Sequence, residues 1–239
     1  MSVGDILTAC AAWMLDGPFE FIFLYDPERP VLPVYRDVTP ENFLDKIGWL
    51  LDCPWVCPEV TAVELRKGRS GGGYGYYGWN RKIADSGKLP VLSTGLKRDV
   101  EVSVNLRRSA ITPQRNSNIG AWEAFFRNHA DVQFDLIGDV PVELPNVRYH
   151  KDGLLNDLAV VENSAFHMGT VSGPCDIRRF SRNPYAVFGL MTGEYRLNCY
   201  DGERWSWAVD GQRWLRLPET LENIEREWDT HTKSRGLKN

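Results

Sequence analysis

The sequence reads as an α/β protein with a parallel sheet in its second half, and three observations carry that reading. From Arg98 onward, strand-like runs at 100–106 (VEVSVNL), 132–137 (VQFDLI), 165–168 (AFHM) and 185–188 (YAVF) alternate with helical segments. Strands interrupted in this way pair in parallel, with right-handed crossovers. The run at 165–168 also feeds a small, hydroxyl-rich turn, Gly169-Thr170-Val171-Ser172-Gly173-Pro174, in which Pro174 suits the first turn of a new helix. Finally, 43% hydrophobic, 12% aromatic and 25% charged residues in a chain of 239 describe a globular protein with ample core.

In chain order, residues 9–15 are an Ala-rich helix former ended by Gly17-Pro18, and 19–25 (FEFIFLY) is the best strand of the first half. Residues 26–40 hold four prolines and form an extended connection. Thr39 as cap and Pro40 in the first turn open a helix with Phe43, Leu44, Ile47, Leu50 and Leu51 on one face. Residues 53–58 are a turn and 61–65 a short strand. The segment 68–80 (GRSGGGYGYYGWN) is a Gly-rich loop whose Tyr74, Tyr76, Tyr77 and Trp79 either close over a ligand or pack on the nearest surface. It lacks the Gly-Lys-Ser/Thr of a phosphate-binding Walker loop. Residues 86–97, punctuated by Gly87, Pro90 and Gly95, read as an interdomain linker.

In the second half, Arg107-Arg108-Ser109 stands at the end of the first strand, followed by a loop with Pro113, Arg115 and Asn116. The helix at 119–129 turns Trp122, Phe125 and Phe126 inward, and the next strand closes on Gly138-Asp139. A strand at 147–150 ends at His150-Lys151. Asn156 or Asp157 caps a helix through Leu158, Ala159, Val160 and Val161, and a further helix spans 175–181 before Pro184. Ligands in such sheets bind beyond the carboxyl ends of the strands. By that rule Arg107, Arg108, Ser109, Gly138, Asp139, His150 and the turn at Gly169 all gather on one rim. Two arginines and a helix N-terminus suit a pyrophosphate.

Beyond 188, runs at 195–200, 204–209 and 212–217 are separated by Asp201-Gly202 and Asp210-Gly211, each a two-residue hairpin signal, so a meander is expected. Its aromatic residues, among them Trp205, Trp207 and Trp214, form either a sugar-facing surface or core. Residues 218–232 make an amphipathic helix on Leu221, Ile224 and Trp228, and the tail from 233 frays.

A net charge of −4 offers nothing toward a general nucleic-acid role. Five cysteines, an odd number at irregular spacing, point to a reducing compartment; Cys53 and Cys57 lack a second Cys/His pair for zinc. Residues 1–15 have no basic start and carry Asp5, so no signal peptide is read, and no apolar run reaches the length of a membrane span. A cytoplasmic protein is expected.

The pattern D-L-A-x-x-x-x-S-A-x-x-M-G-x-x-S-G-P from Asp157, closing with P-Y-A-V-F at Pro184, resembles the donor-binding half of GT-B glycosyltransferases. The likeness is to the heptosyltransferase-like, family 9-type group, and it runs from about Val100 to about Trp228. Where that group carries an Asp and often a His in the loop, Thr170, Ser172 and Pro174 stand here. The resemblance implies two Rossmann-like halves, the N-terminal one short or incomplete: an acceptor-side half at 1–97, a nucleotide-sugar half at 98–217, and a last helix and tail at 218–239. It implies metal-independent transfer of a sugar from a nucleotide-sugar donor to a glycan or other acceptor, with no separate cofactor. The donor's phosphates would meet Arg107, Arg108, Ser109, Arg115, Gly138, His150, Gly169, Thr170, Ser172 and Gly173. Asp5 would be the general base, or simply a helix cap. Two alternatives stand beside this: a nucleotide-binding protein of the same architecture without turnover, and a sugar-nucleotide epimerase or hydrolase using His150 or His167.

Overall fold

The structure is a computed structural model that describes residues 3–15, 19–25, 60–67, 76–110, 113–189, 200–201 and 203–234. Helix α1 (Val3–Trp13) leads to strand β1 (Phe19–Tyr25), which pairs in parallel with β2 (Val60–Lys67). Helix α2 (Tyr76–Ser86) follows. The predicted cap with the proline-opened helix at Thr39, and Cys53, Cys57 and Tyr74, lie outside the described residues.

The rest of the chain builds a six-stranded sheet. Its strands are β3 (Val102–Leu106), β4 (Phe134–Gly138), β5 (Val147–Tyr149), β6 (Phe166–Thr170), β7 (Tyr185–Phe188) and β10 (Gln212–Leu215). The order across the sheet is β10-β7-β6-β3-β4-β5, and every neighbouring pair is parallel. The chain thus starts in the middle at β3, moves outward through β4 to β5, then crosses back to β6 and moves outward the other way. This is the doubly wound α/β arrangement, and its direction reverses between β3 and β6.

Helices cover both faces. On one side α1, α2 and α4 (Leu154–Asn163) pack together through Leu7, Cys10, Ala11, Ile83, Leu158 and Val161. On the other, α3 (Ile119–Asn128) and α6 (Leu221–Ser234) bury Trp122, Phe125, Phe126, Ile224 and Trp228. The Phe125 and Trp228 rings meet edge to face at 5.8 Å. With both faces covered, β3 and β6 are buried at every position, so the apolar–polar order of VEVSVNL does not sort residues between core and water. The polar residues on these strands are consequently hydrogen-bonded inside the protein.

Several boundaries differ from expectation. Helix α1 begins at Val3 and not at residue 9, which puts Gly4-Asp5 within its first turn. Residues 76–80, expected in the Gly-rich loop, belong to α2. Gly153, at φ 89°, is the N-cap of α4, so Asn156 and Asp157 stand inside the helix rather than capping it. Strand β6 runs on through Gly169 and Thr170. The helix expected at 175–181 shrinks to a 3-10 turn, Gly173–Cys175, and one turn of α5 (Asp176–Arg179).

The expected meander is half right. Strands β8 (Tyr200–Asp201) and β9 (Arg204–Trp205) form an antiparallel hairpin, but the second Asp-Gly does not. Gly211, at φ 80°, instead turns β10 alongside β7, where Gln212 Nε2 donates to Ser181 O (2.8 Å) and Asn183 O (3.0 Å). Pairing an otherwise open sheet edge outweighs a local hairpin.

Residues 87–100 run as an irregular strap over α4 and α5. Leu92 N donates to Phe180 O (2.9 Å), Thr94 N to Glu162 Oε2 (2.6 Å) and Asn163 Nδ2 to Leu96 O (2.8 Å). The N-terminal helices are tied in by Arg179, whose side chain is fully buried. Its guanidinium binds Asp176 Oδ1 (2.6 Å), Thr8 Oγ1 of α1 (3.3 Å) and Asn80 of α2, and lies 3.7 Å over the Trp205 ring. Trp205, Trp207 and Trp214 are therefore core, not a sugar-facing surface.

Candidate functional site

Because all six strands are parallel, their carboxyl ends share one rim, and β3 and β6 diverge there into the crevice where doubly wound sheets bind ligands. Two glycines let the strands close up beneath it. A Cβ on Gly169 (φ 134°) would lie 2.3 Å from Asn105 O, and one on Gly138 (φ 98°) would lie 2.2 Å from Leu106 O. Both residues, expected against phosphate, thus let β6 and β4 press on the backbone of β3.

The β3 end folds back on itself. Arg107 N donates to Ser117 Oγ (2.8 Å) and Ser117 N to Arg107 O (2.9 Å). Ser109 and Asn116 exchange bonds of 2.6 and 3.2 Å. This stapled loop brings Arg115, a residue from beyond the strand, alongside Arg107. Burial lowers the Arg107 pKa, the Arg115 guanidinium lowers it further, and Asp139 opposes. Arg115 Nη2 reaches Val171 O at the end of β6 (3.3 Å), while its buried Nε–H has no hydrogen-bond acceptor among the described residues. Arg108 is exposed and points away from burial.

Thr170 is the last residue of β6. It is 1% exposed and its hydroxyl donates to Glu219 Oε1 at 2.6 Å, so it is committed within the protein. Glu219 Oε2 also accepts from Trp122 Nε1 (2.7 Å) and from Asn118 N (3.1 Å), the N-cap residue of α3. Ser117 Oγ bonds Thr170 Oγ1. With Thr170 donating to a carboxylate, Ser117 must donate to Thr170, giving a directed run Arg107 N–H, Ser117, Thr170, Glu219. Burial raises the Glu219 pKa, and the bonds from Thr170, Trp122 and Asn118 oppose that rise. Nothing in the sequence singled out Glu219, because its role depends on three elements distant in the chain.

Ser172 and Gly173 are half-buried at the turn after β6. The α-helix expected to aim its N-terminus at an anion there is only four residues long, so a macrodipole of that origin is not built. Beneath the turn runs a buried polar chain. Ser164 Oγ donates to Val161 O (3.0 Å) and Ser103 Oγ to Ser164 Oγ (2.7 Å), which spends the Ser103 proton. His167 Nδ1, 2.8 Å from Ser103 Oγ, must therefore carry the ring proton, leaving Nε2 as an acceptor 3.2 Å from Cys175 Sγ. Burial, then Arg178, lowers the His167 pKa, and burial pushes the Cys175 thiol up to about 12. Both stay neutral, so this is a supporting network, not a nucleophile and base. His167 lies in the core and faces no cleft.

On the β4–β5 flank, His150 Nε2 bonds the buried Asp135 Oδ1 (2.7 Å), which also takes Arg148 Nε (2.6 Å). Tyr149 OH donates to Gly138 O (2.8 Å). Asp157, in the first turn of α4, has a buried Oδ1 without a donor among the described residues. Burial pushes its carboxyl up to about 6, with His150 opposing and Asp139 and Asp152 adding. His150 is thus held by Asp135 on the sheet flank. Asp5 belongs to α1, which packs on the Gly173–Cys175 turn.

Among the described residues, no three His, Cys, Asp or Glu side chains are grouped to hold a metal ion, and no helix is long and apolar enough to cross a membrane. A separate pocket of about 500 Å³ opens at the opposite, amino ends of β6, β7 and β10, bordered by Phe166, Tyr185, Arg213, Glu227 and His231. Its charges are matched internally: Arg213 pairs with Glu203 and Glu227, and Arg204 with Asp210.

No protein-family model matches the chain, and no curated protein does. Among solved structures, it is similar to the E. coli heptosyltransferase WaaC with ADP, at 12% identity and a TM-score of 0.48 over 97% of this chain and 96% of that one. WaaC with ADP-2-deoxy-2-fluoro heptose gives 13% identity and 0.49, over 97% of each chain. The iron-containing dodecameric glycosyltransferase TibC from enterotoxigenic E. coli H10407 gives 10% and 0.44, over 91% of this chain and 77% of that one.

Proposed function

We propose that the chain holds the diphosphate of a nucleotide sugar at the β3–β6 crevice and transfers the sugar to a glycan or other acceptor without a metal ion. The observation that carries this reading is the Arg107–Arg115 pair. Burial and then the Arg115 guanidinium lower the Arg107 pKa, and an anion bound by both would offset that cost to the charged form. Each presents a planar fork matched to two phosphate oxygens. In glycosyl transfer the leaving diphosphate gains charge as the sugar departs, and fixed cations stabilise that charge where it develops. Ser109, Ser172 and Gly173 border the same crevice, and Asp139 at the end of β4 lies on the side where doubly wound sheets meet a ribose. Asp5 is the proposed base, taking the proton of the acceptor hydroxyl.

A second reading, nucleotide binding without turnover, draws on one observation: Gly4-Asp5 lies inside α1 and not in a strand-to-helix turn. The epimerase or hydrolase reading loses support, since His167 is buried and His150 is engaged with Asp135. The test is calorimetric titration with nucleoside diphosphates, followed by incubation of a panel of sugar nucleotides with and without acceptors. Binding with acceptor-dependent sugar transfer is the expected result. Binding without any turnover would favour the second reading, and no binding would overturn both.

A further inference from the structure

We infer that Glu219 determines where an anion sits in this crevice, by occupying from within the one phosphate position that doubly wound sheets ordinarily offer first. In such sheets the N-terminus of the helix after the first strand receives the ligand's phosphate, because its N–H groups are unpaired and its dipole favours negative charge. That helix is α3, ten residues long, and it starts at the crevice directly after the β3 loop. Here the Glu219 carboxylate already accepts from the N–H of its cap residue Asn118 at 3.1 Å. Two further bonds hold it there, from Trp122 Nε1 at 2.7 Å and Thr170 Oγ1 at 2.6 Å, while Asn118 Nδ2 fixes the Glu219 carbonyl at 2.9 Å.

The three donors come from α3 and β6, and the acceptor comes from the segment entering α6, so the carboxylate cannot leave without parting three elements. A phosphate approaching α3 would meet a fixed negative charge. Arg107, just past the end of β3, and Arg115, whose Nη2 reaches Val171 O just after β6, are cations brought to these same strand ends. Glu219 is therefore a specificity-determining residue, confining a phosphate to the arginine side. It touches no reacting atom. The same carboxylate makes the Thr170 hydroxyl unavailable to a ligand, which is why a residue of the right type in the right turn is not a phosphate contact.

This inference rests on the crevice being an anion site, and the experiment separates the two claims. Pyrophosphate is titrated by calorimetry into the wild type, Glu219→Gln, Glu219→Ala and the double variant Arg107→Ala/Arg115→Ala, with circular dichroism and thermal unfolding establishing that each is folded. Glu219→Gln removes the charge and retains the side chain's volume and an acceptor oxygen. Removing this unit negative charge from the strand ends should tighten pyrophosphate by about tenfold or more. If the arginine variant loses affinity while folded Glu219→Gln and Glu219→Ala gain none, Glu219 excludes nothing and the inference is overturned, with the arginine site intact. If instead the Glu219 variants gain and the arginine variant loses nothing, exclusion by Glu219 stands and the arginine assignment fails. Should Glu219→Gln prove unfolded, a gain in Glu219→Ala alone supports the inference and its absence overturns it.

Discussion

Arg115 stands close enough to Arg107 to lower its pKa, although the two residues are separated by a loop that must first fold back through Ser117 and Asn116. Like charges brought together by a hydrogen-bonded staple, at the point where a doubly wound sheet reverses, are the basis of the proposed anion site. The pair also selects between the arginines of the sequence, since Arg108 next door is exposed.

The first prediction follows from that selection. Arg107→Ala or Arg115→Ala should each weaken nucleoside diphosphate binding by roughly 1.5–3 kcal/mol, the worth of a charge-assisted hydrogen bond. Arg108→Ala should cost less than either. Isothermal titration of the three folded variants measures this, and equal losses in all three would show that net positive charge alone matters.

Asp157 predicts a pH dependence of stability. Its carboxyl moves from an ordinary 3.8 to about 6, chiefly through burial, so the folded state holds the proton more tightly than the unfolded chain. The resulting stabilisation is complete below 3.8 and is lost as pH rises through about 6. Asp157→Asn, which cannot ionise, should therefore raise Tm more at pH 7 than at pH 4. A Tm increment independent of pH would contradict it.

His167 should be a neutral imidazole carrying its proton on Nδ1 throughout the range in which the protein is folded. Nitrogen chemical shifts of a histidine-labelled sample read the tautomer directly. Titration with a midpoint near 6.5, or an Nε2–H form, would break the proton assignment from Ser103 to Cys175.

Gly169→Ala should destabilise by about 2–5 kcal/mol, combining a left-handed backbone with overpacking against β3. The added methyl would meet Asn105 O at 2.3 Å and Asn105 N at 2.7 Å, both backbone atoms that cannot move without parting the two central strands. Chemical denaturation measures the loss, and a change below about 1 kcal/mol would mean that the strands separate at little cost.

Arg179→Ala should cost about 3–5 kcal/mol, because it strands Asp176 in the interior and unties Thr8 and Asn80 from α5. Arg179→Lys should recover little, since an ammonium lacks the planar face that lies over Trp205. Denaturant midpoints of both variants test this, and full recovery by lysine would reduce the site to a simple ion pair.

Read alone, the sequence determined five of the six strands of the parallel sheet and the rim on which they end. Those properties follow from local period and from the rule that helix-interrupted strands pair in parallel, as in 132–137 and 185–188. It also marked Arg107 at a strand end, Arg115 in the loop beyond it and Ser172 in the turn after β6 as residues of the right chemistry. Only the tertiary structure decided which of them face one another. Thr170 and Ser172 are both hydroxyl residues of one turn, yet Thr170 is bound inside the protein because Glu219 arrives from 49 positions later. Asp210-Gly211 carries a hairpin signal, yet β10 joins β7 because a free sheet edge offers backbone hydrogen bonds that a local turn does not. Periodicity and turn chemistry report on neighbours in the chain. Hydroxyl commitment, strand pairing and the meeting of two arginines are settled by partners distant in sequence, whose approach depends on how the whole sheet closes.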